Sequence, residues 1–195
     1  MLSTRPAARL LAFWAGLTLA FLFAGVSIAK RMGYRINTTP SVPPGIWRVL
    51  PLPARPARGQ IVSICPPPTA AFIEARARGY LSHGRCPGGL EPMLKPVAAI
   101  AGDAVEQTPS GLVLNGKALP DTVALAADSA GRPLRRLQGS RLVIAADEAF
   151  LLSTMNGRSF DSRYFGPLPV TAIEGLAVPV WVAADRREPA SRADE

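Results

Sequence analysis

An uncharged apolar run near the N-terminus constrains the fold of this chain more than any other feature. Residues 10–29 carry no charged side chain, and their only hydroxyl groups are those of Thr18 and Ser27. In a helix that rises about 1.5 Å per residue, this run spans the ~30 Å hydrocarbon core of a bilayer. We therefore predict a single transmembrane helix over residues 10–29.

A cleaved secretory signal is the competing interpretation of the same run, because residues 27–29 are Ser-Ile-Ala, a plausible cleavage pattern. Its length exceeds the usual ~7–15 apolar residues of a signal peptide, which favours an anchor. Flanking charges do not orient the helix. The segment 1–9 carries two arginines and the terminal amine, the segment 30–35 carries three basic residues, and the two sides roughly balance under the positive-inside rule.

Composition favours β-structure for the rest of the chain. Its 20 prolines and 17 glycines, with 48% hydrophobic residues, are typical of many short strands and turns rather than of a helical bundle. The net charge of +8 is not gathered into a basic cluster interleaved with aromatic residues, and no zinc-finger or helix-turn-helix spacing is present. We expect an arginine-rich surface near anionic lipid and no nucleic-acid partner.

Lys95 is one of only three lysines among 22 basic residues, and it lies in an apolar run, residues 92–100. A desolvated lysine can lose its proton and act as a base, whereas arginine stays charged. The alternative is a lysine on the polar face of a strand, with its ammonium in water. Pro96 supplies no N–H, which predicts a strand edge facing a cleft.

Ser41 lies in a proline-rich segment, residues 37–48, that suits neither a helix nor a central strand. Serine is a poor nucleophile until a base takes its proton, and serine-lysine pairs are an alternative to the serine-histidine-aspartate triad. Lys95 is the base that we favour. The only histidine, His83, lies in a loop-like stretch and is the weaker alternative.

The two cysteines, Cys65 and Cys86, bracket a helix-like stretch, residues 69–80, with an apolar face of Phe72, Ile73 and Ala77. A disulfide between them would contribute about 3 kcal/mol in an oxidising compartment. Their spacing fits neither a redox Cys-x-x-Cys motif nor a zinc site. We predict a domain outside the cytoplasm; the alternative is two free, buried thiols in a cytosolic domain.

Three segments together resemble the signature blocks of the membrane-bound serine-lysine signal peptidases. They are residues 40–47 around Ser41, residues 94–103 around Lys95, and residues 159–167. Each block alone is common, but their order and their combination with the cysteine-bracketed insert are specific. No cofactor or metal ion is expected for this chemistry.

The cysteine-containing insert resembles one branch more narrowly, the conjugative-transfer or TraF-type peptidases. The segments that carry this likeness are residues 65–68, 70–81 and 86–89, and the resemblance as a whole runs from about residue 37 to residue 181. Trp47 stands where the branch usually has tyrosine. This departure touches neither the proposed nucleophile nor the proposed base.

The resemblance implies a mostly β fold, in which the N-terminal transmembrane helix precedes a signal-peptidase-like antiparallel sheet or barrel with one short helix. We expect a cytoplasmic segment at 1–9, the helix at 10–29, an exported peptidase domain at 30–183 and a disordered polar tail at 184–195. Within the domain, residues 104–148 are predicted to form a small inserted subdomain. They contain a predicted hairpin over residues 112–119, marked by the Asn-Gly turn at 115–116.

The resemblance also implies the roles of the reacting groups. Ser41 is the nucleophile and Lys95 the general base. The oxyanion donors are the N–H of Ser41 and the hydroxyl of Thr39, which lies two residues earlier. Ordinary hydrogen bonding within a turn is the alternative role for Thr39.

The third block implies three supporting residues. Ser159 exchanges a hydrogen bond with the lysine, and Asp161 pairs with Arg163. Such support matters because a base displaced by ~1 Å can lose ~100-fold in rate. For Asp161 the alternative is a turn stabilised together with Ser162.

The predicted function is hydrolysis of a peptide bond in an exported precursor protein, pilin-like or carrying a signal peptide, in conjugative transfer. The reaction is expected at a bacterial inner membrane that the chain crosses once, with catalysis on the periplasmic side. The expected partners are a precursor with a membrane-proximal cleavage site and membrane lipid. Ser41 follows Ala29 by 12 residues, which limits its reach to about 40 Å from the bilayer. A general housekeeping signal peptidase is one alternative. A non-enzymatic anchored β-domain of a transfer or pilus apparatus is another.

Overall fold

The computed structural model describes residues 5–52, 55–137 and 141–183. The chain divides into two compact units, with the boundary between Arg35 and Ile36. The polar tail predicted at residues 184–195 lies outside the described residues. Across both units the described elements are, in chain order, α1 (Arg5–Arg31), β1 (Tyr34–Asn37), β2 (Gly45–Leu50), β3 (Ile61–Ile64), α2 (Ala70–Ala77), β4 (His83–Cys86), a 3-10 turn (Pro87–Gly89), β5 (Met93–Ile100), β6 (Ala104–Thr108), β7 (Gly111–Leu114), β8 (Lys117–Ala118), β9 (Leu142–Val143), β10 (Glu148–Leu151), α3 (Ser162–Phe165), β11 (Leu168–Pro169), a second 3-10 turn (Val170–Ala172) and β12 (Ile173–Val182).

Helix α1 contains the predicted apolar run and extends it at both ends. Its stretch Leu10–Arg31 has a mean hydropathy of 2.0 and is, in the described part of the chain, the one helix long and apolar enough to cross a membrane. Its last turn carries Lys30 and Arg31. At the end of the helix the carbonyl of Lys30 accepts hydrogen bonds from the N–H of Gly33 at 3.2 Å and from the side chain of Arg35 at 3.0 Å.

The second unit is built on a sheet in the order β1-β2-β12-β3-β5-β10-β11. Strand β12 is antiparallel to both β2 and β3, β5 is antiparallel to both β3 and β10, and β10 is antiparallel to β11. The prediction of a mostly β, antiparallel fold with an N-terminal apolar helix is therefore confirmed. Of the two forms expected, a sheet or a barrel, the described strands form a sheet.

Strand β5 determines where Lys95 lies. Side chains alternate across a strand, and in β5 the odd-numbered positions are buried and the even-numbered ones half-buried. Lys95 shares the buried face with Met93, Val97 and Ala99, and only 3% of it is exposed. The alternative of a solvated lysine on a polar strand face is therefore wrong.

The expectation that Pro96 marks a strand edge holds on one side of β5, because the described ladder with β10 begins only at Val97. Proline is tolerated because the partner strand changes at this point. Strand β3 pairs with residues 93–96, whereas β10 pairs with residues 97–100. The carbonyl of Pro96 accepts a hydrogen bond of 3.0 Å from the N–H of Leu152, just beyond β10. The missing N–H thus falls where the regular ladder to β10 has ended.

A second, four-stranded sheet has the order β8-β7-β6-β9. All four strands lie within residues 104–148, the segment predicted as an insertion. The predicted hairpin is confirmed as β7 and β8, joined through Asn115 and Gly116 at φ values of 52° and 82°. Positive φ at both central positions is the geometry for which Asn-Gly is favoured, because it matches the twist of the flanking strands.

Asp103 connects this second sheet to the first. Its carboxylate accepts hydrogen bonds from the backbone N–H of Ile100 at 2.9 Å, from the side chain of Asn115 at 2.8 Å, and from the guanidinium of Arg58. The hydrogen bond from Arg58, together with the other donors, lowers the pKa of Asp103 to about 2. Asp103 is therefore ionised, and it joins the end of β5 to Arg58 and to the turn between β7 and β8.

The cysteines form a disulfide, with Cα atoms 5.3 Å apart, between the residue after β3 and the last residue of β4. The alternative of two free thiols is therefore wrong. Helix α2 lies inside this closed segment and is shorter than the stretch predicted at residues 69–80. It starts after three consecutive prolines, and it ends before Gly79, where φ is +80°.

The face that α2 buries differs from the predicted one. Phe72 and Ala75 are buried, whereas Ile73 and Ala77 are exposed. The reason is tertiary packing. The ring of Phe72 contacts those of Phe160 and Phe165, with centroid distances of 5.9 and 4.7 Å. With Phe72 held by these contacts, Ala75 shares its buried face, and Ile73 and Ala77 fall on the exposed side of the helix.

Candidate active site

The loop between β1 and β2 presents Ser41, and the side chain of Asn37 holds this loop in shape. The amide nitrogen of Asn37 donates to the carbonyls of Thr39 and Val42, at 2.8 and 2.9 Å. Its amide oxygen accepts from the backbone N–H and the hydroxyl of Thr39. Because its prolines cannot join a ladder, the loop needs such side-chain bonds. The sequence analysis did not identify this role of Asn37.

Lys95 reaches from β5 to two hydroxyl groups. Its Nζ lies 2.8 Å from Ser41 Oγ and 2.7 Å from Ser159 Oγ, and the two hydroxyl oxygens are 3.2 Å apart. All three residues are buried, with at most 9% of any of them exposed. The structure therefore brings together the predicted nucleophile, the predicted base and one predicted supporting residue, which come from three separate segments.

Burial lowers the pKa of Lys95 to about 8; the negative charge of Asp161 opposes this effect, and the positive charge of Arg163 adds to it. With this pKa about a tenth of the lysine is neutral at pH 7, compared with well under a thousandth for an unperturbed lysine. Neutral Nζ has a lone pair that can accept the proton of Ser41, and it keeps N–H groups to donate to Ser159.

Asp161 and Arg163 form a fully buried ion pair beside the group of Ser41, Lys95 and Ser159. Two bonds of 2.8 Å join Nε and Nη2 of Arg163 to the two carboxylate oxygens. The guanidinium also donates to the backbone carbonyls of Ser159 and Val123, at 3.2 and 3.1 Å. The pair thus fixes the backbone that carries Ser159. Removing either partner alone would leave an uncompensated buried charge, at a typical cost of ~3–5 kcal/mol.

Asp161 also takes the turn role that was its alternative. It is the N-cap of α3, where its carboxylate accepts from the N–H of Arg163 at 3.2 Å. The neighbouring Ser162 accepts from the N–H of Leu151 at 2.9 Å. The ion pair and the turn therefore coexist in one side chain.

Thr39 is bound differently from its predicted role. Its hydroxyl donates its single proton to Asn37 Oδ1 at 2.8 Å, which is the turn alternative. The oxyanion role of Thr39 stays a prediction, and in this conformation the hydroxyl would first have to turn away from Asn37. The N–H of Ser41 makes no hydrogen bond among the described residues, so this second predicted donor is free.

His83 is placed away from the predicted chemistry. It is exposed, lies in strand β4 rather than in a loop, and pairs with Leu90 inside the disulfide-closed segment. Among the described contacts of Ser41, the basic group is Lys95. The weaker alternative for the base is therefore not supported.

One group of potential metal ligands occurs in the described part of the chain. Cys65, Cys86 and Glu174 have ligand atoms within 4.8 Å of one another. The two sulfurs are bonded to each other and offer no thiolate, and Glu174 instead accepts from Ser63 Oγ at 2.8 Å and pairs with Arg85. These residues stabilise the disulfide-closed segment and do not form a metal centre.

Comparison with known proteins gives one consistent family. Residues 7–182 match the family described as "Signal peptidase, peptidase S26". The chain is 45% identical over 159 residues to a probable conjugal transfer protein TraF of Sinorhizobium fredii, covering 82% of each chain. It is 39% identical over 166 residues to a plasmid transfer protein TraF of Escherichia coli, covering 85% of this chain and 90% of the relative.

A solved structure, that of a signal peptidase I from Enterococcus faecalis, is more distant. It is 19% identical, with a TM-score of 0.35, and the match covers 63% of this chain and 97% of that one. At this TM-score the structural overlap of the two chains is too small to support a conclusion about function.

Proposed function

Because this chain belongs to the signal peptidase family, peptidase S26, we propose that it is a serine endopeptidase in which Ser41 and Lys95 form the catalytic pair. The observation that carries the proposal is the 2.8 Å contact between Lys95 Nζ and Ser41 Oγ in a buried site. A peptidase needs an activated nucleophile, and a lysine with a pKa lowered to about 8 is a suitable base at neutral pH.

The proposed reaction begins with neutral Lys95, which takes the proton of Ser41 Oγ as this oxygen attacks the scissile carbonyl. The resulting oxyanion accepts from the free N–H of Ser41. Protonated Lys95 then gives its proton to the leaving amine, and an acyl-enzyme remains. The same lysine activates a water molecule, which releases the second product and restores the serine. Ser159 keeps Nζ in place through both halves of the reaction.

The proposed substrate is a precursor protein exported during conjugative transfer, by analogy with the relatives named as conjugal and plasmid transfer proteins. Helix α1 is proposed as a single inner-membrane anchor, since Leu10–Arg31 is long and apolar enough to span a bilayer. The disulfide supports a periplasmic location for the second unit, because such bonds persist in oxidising compartments.

The direct test is to sequence the termini of candidate precursors from cells that produce the wild type, Ser41→Ala, or no protein at all. We expect new termini with the wild type and none with Ser41→Ala. Ser110→Ala is the matched control, since Ser110 is an exposed residue in the turn between β6 and β7. This variant should cleave the precursor normally. Processing by Ser41→Ala would contradict the proposed nucleophile.

The same experiment separates the alternatives. New termini confined to a transfer-related precursor support the specialised peptidase, whereas new termini across many exported proteins indicate a housekeeping signal peptidase. A protein that is folded but never acylated at Ser41 by a reactive peptide ester would indicate a non-enzymatic role.

A further inference from the structure

Ser153 lies between the proposed nucleophile and the buried ion pair. It is fully buried in the segment between β10 and α3. Its hydroxyl donates a 2.6 Å hydrogen bond to the backbone carbonyl of Ser41, and its N–H donates to Asp161 Oδ2 at 3.3 Å. We propose that Ser153 is a positioning residue that orients Ser41 towards Lys95, an inference that rests on the proposed function.

The bond from Ser153 acts on the orientation of Ser41. A carbonyl held in place fixes ψ of its residue, and with it the direction of the Cα–Cβ bond that carries Oγ. Asn37 holds the same loop from the side of β1, through bonds that reach Val42 and not Ser41. Among the described side chains, Ser153 is therefore the one that holds the backbone carbonyl of Ser41 in place.

Ser153 also closes a ring of contacts. Lys95 Nζ contacts the hydroxyls of both Ser41 and Ser159. The remaining links run through the ion pair and return to the nucleophile, from Ser159 by way of Arg163, Asp161 and Ser153 to Ser41. Because every member has two partners in the ring, no single hydroxyl or ammonium can shift without stretching another bond. The ring explains how a loop rich in proline keeps its serine in place.

The hydrogen bond made by the Ser153 hydroxyl indicates a specific role for this side chain, beyond filling space in the interior. Ser153 is 112 residues from Ser41 in the chain and has no local reason to contact it. If this position served packing alone, an apolar residue of similar size would do equally well and would avoid the cost of burying a hydroxyl group. Instead, the Ser153 hydroxyl is hydrogen-bonded to the backbone carbonyl of Ser41.

The test uses the full-length protein in detergent micelles and the p-nitrophenyl ester of a short peptide as the acylating probe. The rate of acylation is measured from p-nitrophenolate release, and the adduct is located at Ser41 by mass spectrometry. For Ser153→Ala we expect the turnover number to fall about 10- to 100-fold while KM stays within about twofold of wild type, because positioning is lost and binding is not. The midpoint of the pH–rate profile should not move, because the surroundings of Lys95 are kept.

Thr122→Val is the matched control. Thr122 is also fully buried, and its hydroxyl donates to the carbonyl of Leu119 at 2.7 Å and accepts from the N–H of Leu112 at 2.8 Å, in the second sheet region. This variant should lose at least as much thermal stability as Ser153→Ala and keep the wild-type turnover number per folded molecule. Should Ser153→Ala fail to fold, Ser153→Gly removes the same hydroxyl and keeps the N–H to Asp161.

Three results would overturn the inference. The first is a turnover number for Ser153→Ala within about twofold of wild type. The second is a loss of rate that only follows the unfolded fraction, as in Thr122→Val. The third is a shifted pH midpoint, which would mean that Ser153 acts through Lys95. A folded wild type that is not acylated at all contradicts the proposed function instead, and the inference falls with it.

Discussion

Phe72 in the disulfide-closed segment packs edge-on against Phe160, with ring centroids 5.9 Å apart and planes at 89°. Phe160 directly follows Ser159, whose hydroxyl contacts Lys95. The disulfide between Cys65 and Cys86 therefore stabilises a helix that covers the backbone of the site. It makes no contact with the proposed reacting groups among the described residues.

Loss of the disulfide should accordingly lower stability more than it lowers activity. We expect the double variant Cys65→Ala, Cys86→Ala to lose about 2–4 kcal/mol of unfolding free energy, as is typical for closure of a loop of this size, and to keep its cleavage chemistry below its melting temperature. Thermal unfolding and precursor cleavage measure the two effects. Alkylation of both cysteines in native, unreduced protein would show that the disulfide is absent.

Replacement of Lys95 by arginine separates a base from a structural cation. The guanidinium keeps the charge and much of the apolar stem, but with a pKa above ~12 it cannot accept a proton. We expect Lys95→Arg to be folded and membrane-inserted, with precursor cleavage reduced at least ~1,000-fold, like Ser41→Ala. The double mutant should be little worse than either single one, because the pair acts as a unit. Near-normal cleavage by Lys95→Arg would end the serine-lysine mechanism for this chain.

The pH dependence of cleavage should report the same lysine. Lys95 must be neutral to act, and burial lowers its pKa to about 8. We therefore expect kcat/KM to rise with pH up to a midpoint near 8, and to fall about tenfold per pH unit well below it. The measurement is a kcat/KM profile on one precursor, after unfolding at each pH has been excluded. A midpoint near the unperturbed value of ~10.4 would contradict a desolvated base.

Stability should also rise with pH because of Lys95, but over a higher pH window than activity does. Because its pKa is lowered on folding, from 10.5 to about 8, the unfolded chain binds more protons between these values, and stability rises as pH increases through that window. Below pH 8 the buried ammonium therefore costs free energy. We expect Lys95→Met to be inactive, more stable than wild type at pH 7 by roughly 1–3 kcal/mol, and less sensitive to pH between about 8 and 10.5. Melting temperatures of the two proteins at both ends of the window test this, and a less stable Lys95→Met at pH 7 would argue against it.

Thr39→Val tests whether the hydroxyl of Thr39 serves the oxyanion or only the turn. Loss of an oxyanion donor typically costs ~100- to 1,000-fold in turnover with little change in KM. We expect such a loss if the hydroxyl leaves Asn37 when substrate binds. An effect below about threefold would assign Thr39 to the turn alone, and the N–H of Ser41 would remain as the donor from this loop. Kinetics on a single precursor, with thermal stability measured in parallel, distinguish the outcomes.

Local patterns in the sequence determined several elements of this protein. The uncharged run 10–29 predicts a helix because every backbone polar group in such a segment has to be bonded within the helix. The Asn-Gly pair at 115–116 predicts a hairpin because both residues tolerate positive φ. The spacing of Cys65 and Cys86 around a short helix predicts their pairing. In each case the information lies within about 25 residues of chain.

The placement of the site was decided by tertiary structure. The sequence identified Ser41 and Lys95 by residue type and by family resemblance, but packing against the sheet buries the odd-numbered face of β5, which carries Lys95. The roles of Asn37 and Ser153 were missed, because an ordinary polar residue has no distinctive signal until its partner is known. Ser153 meets Ser41 across 112 residues only after strand register brings the two loops together. Periodicity along a chain shows which side chains share a face, whereas tertiary packing decides which face is buried and which groups meet there.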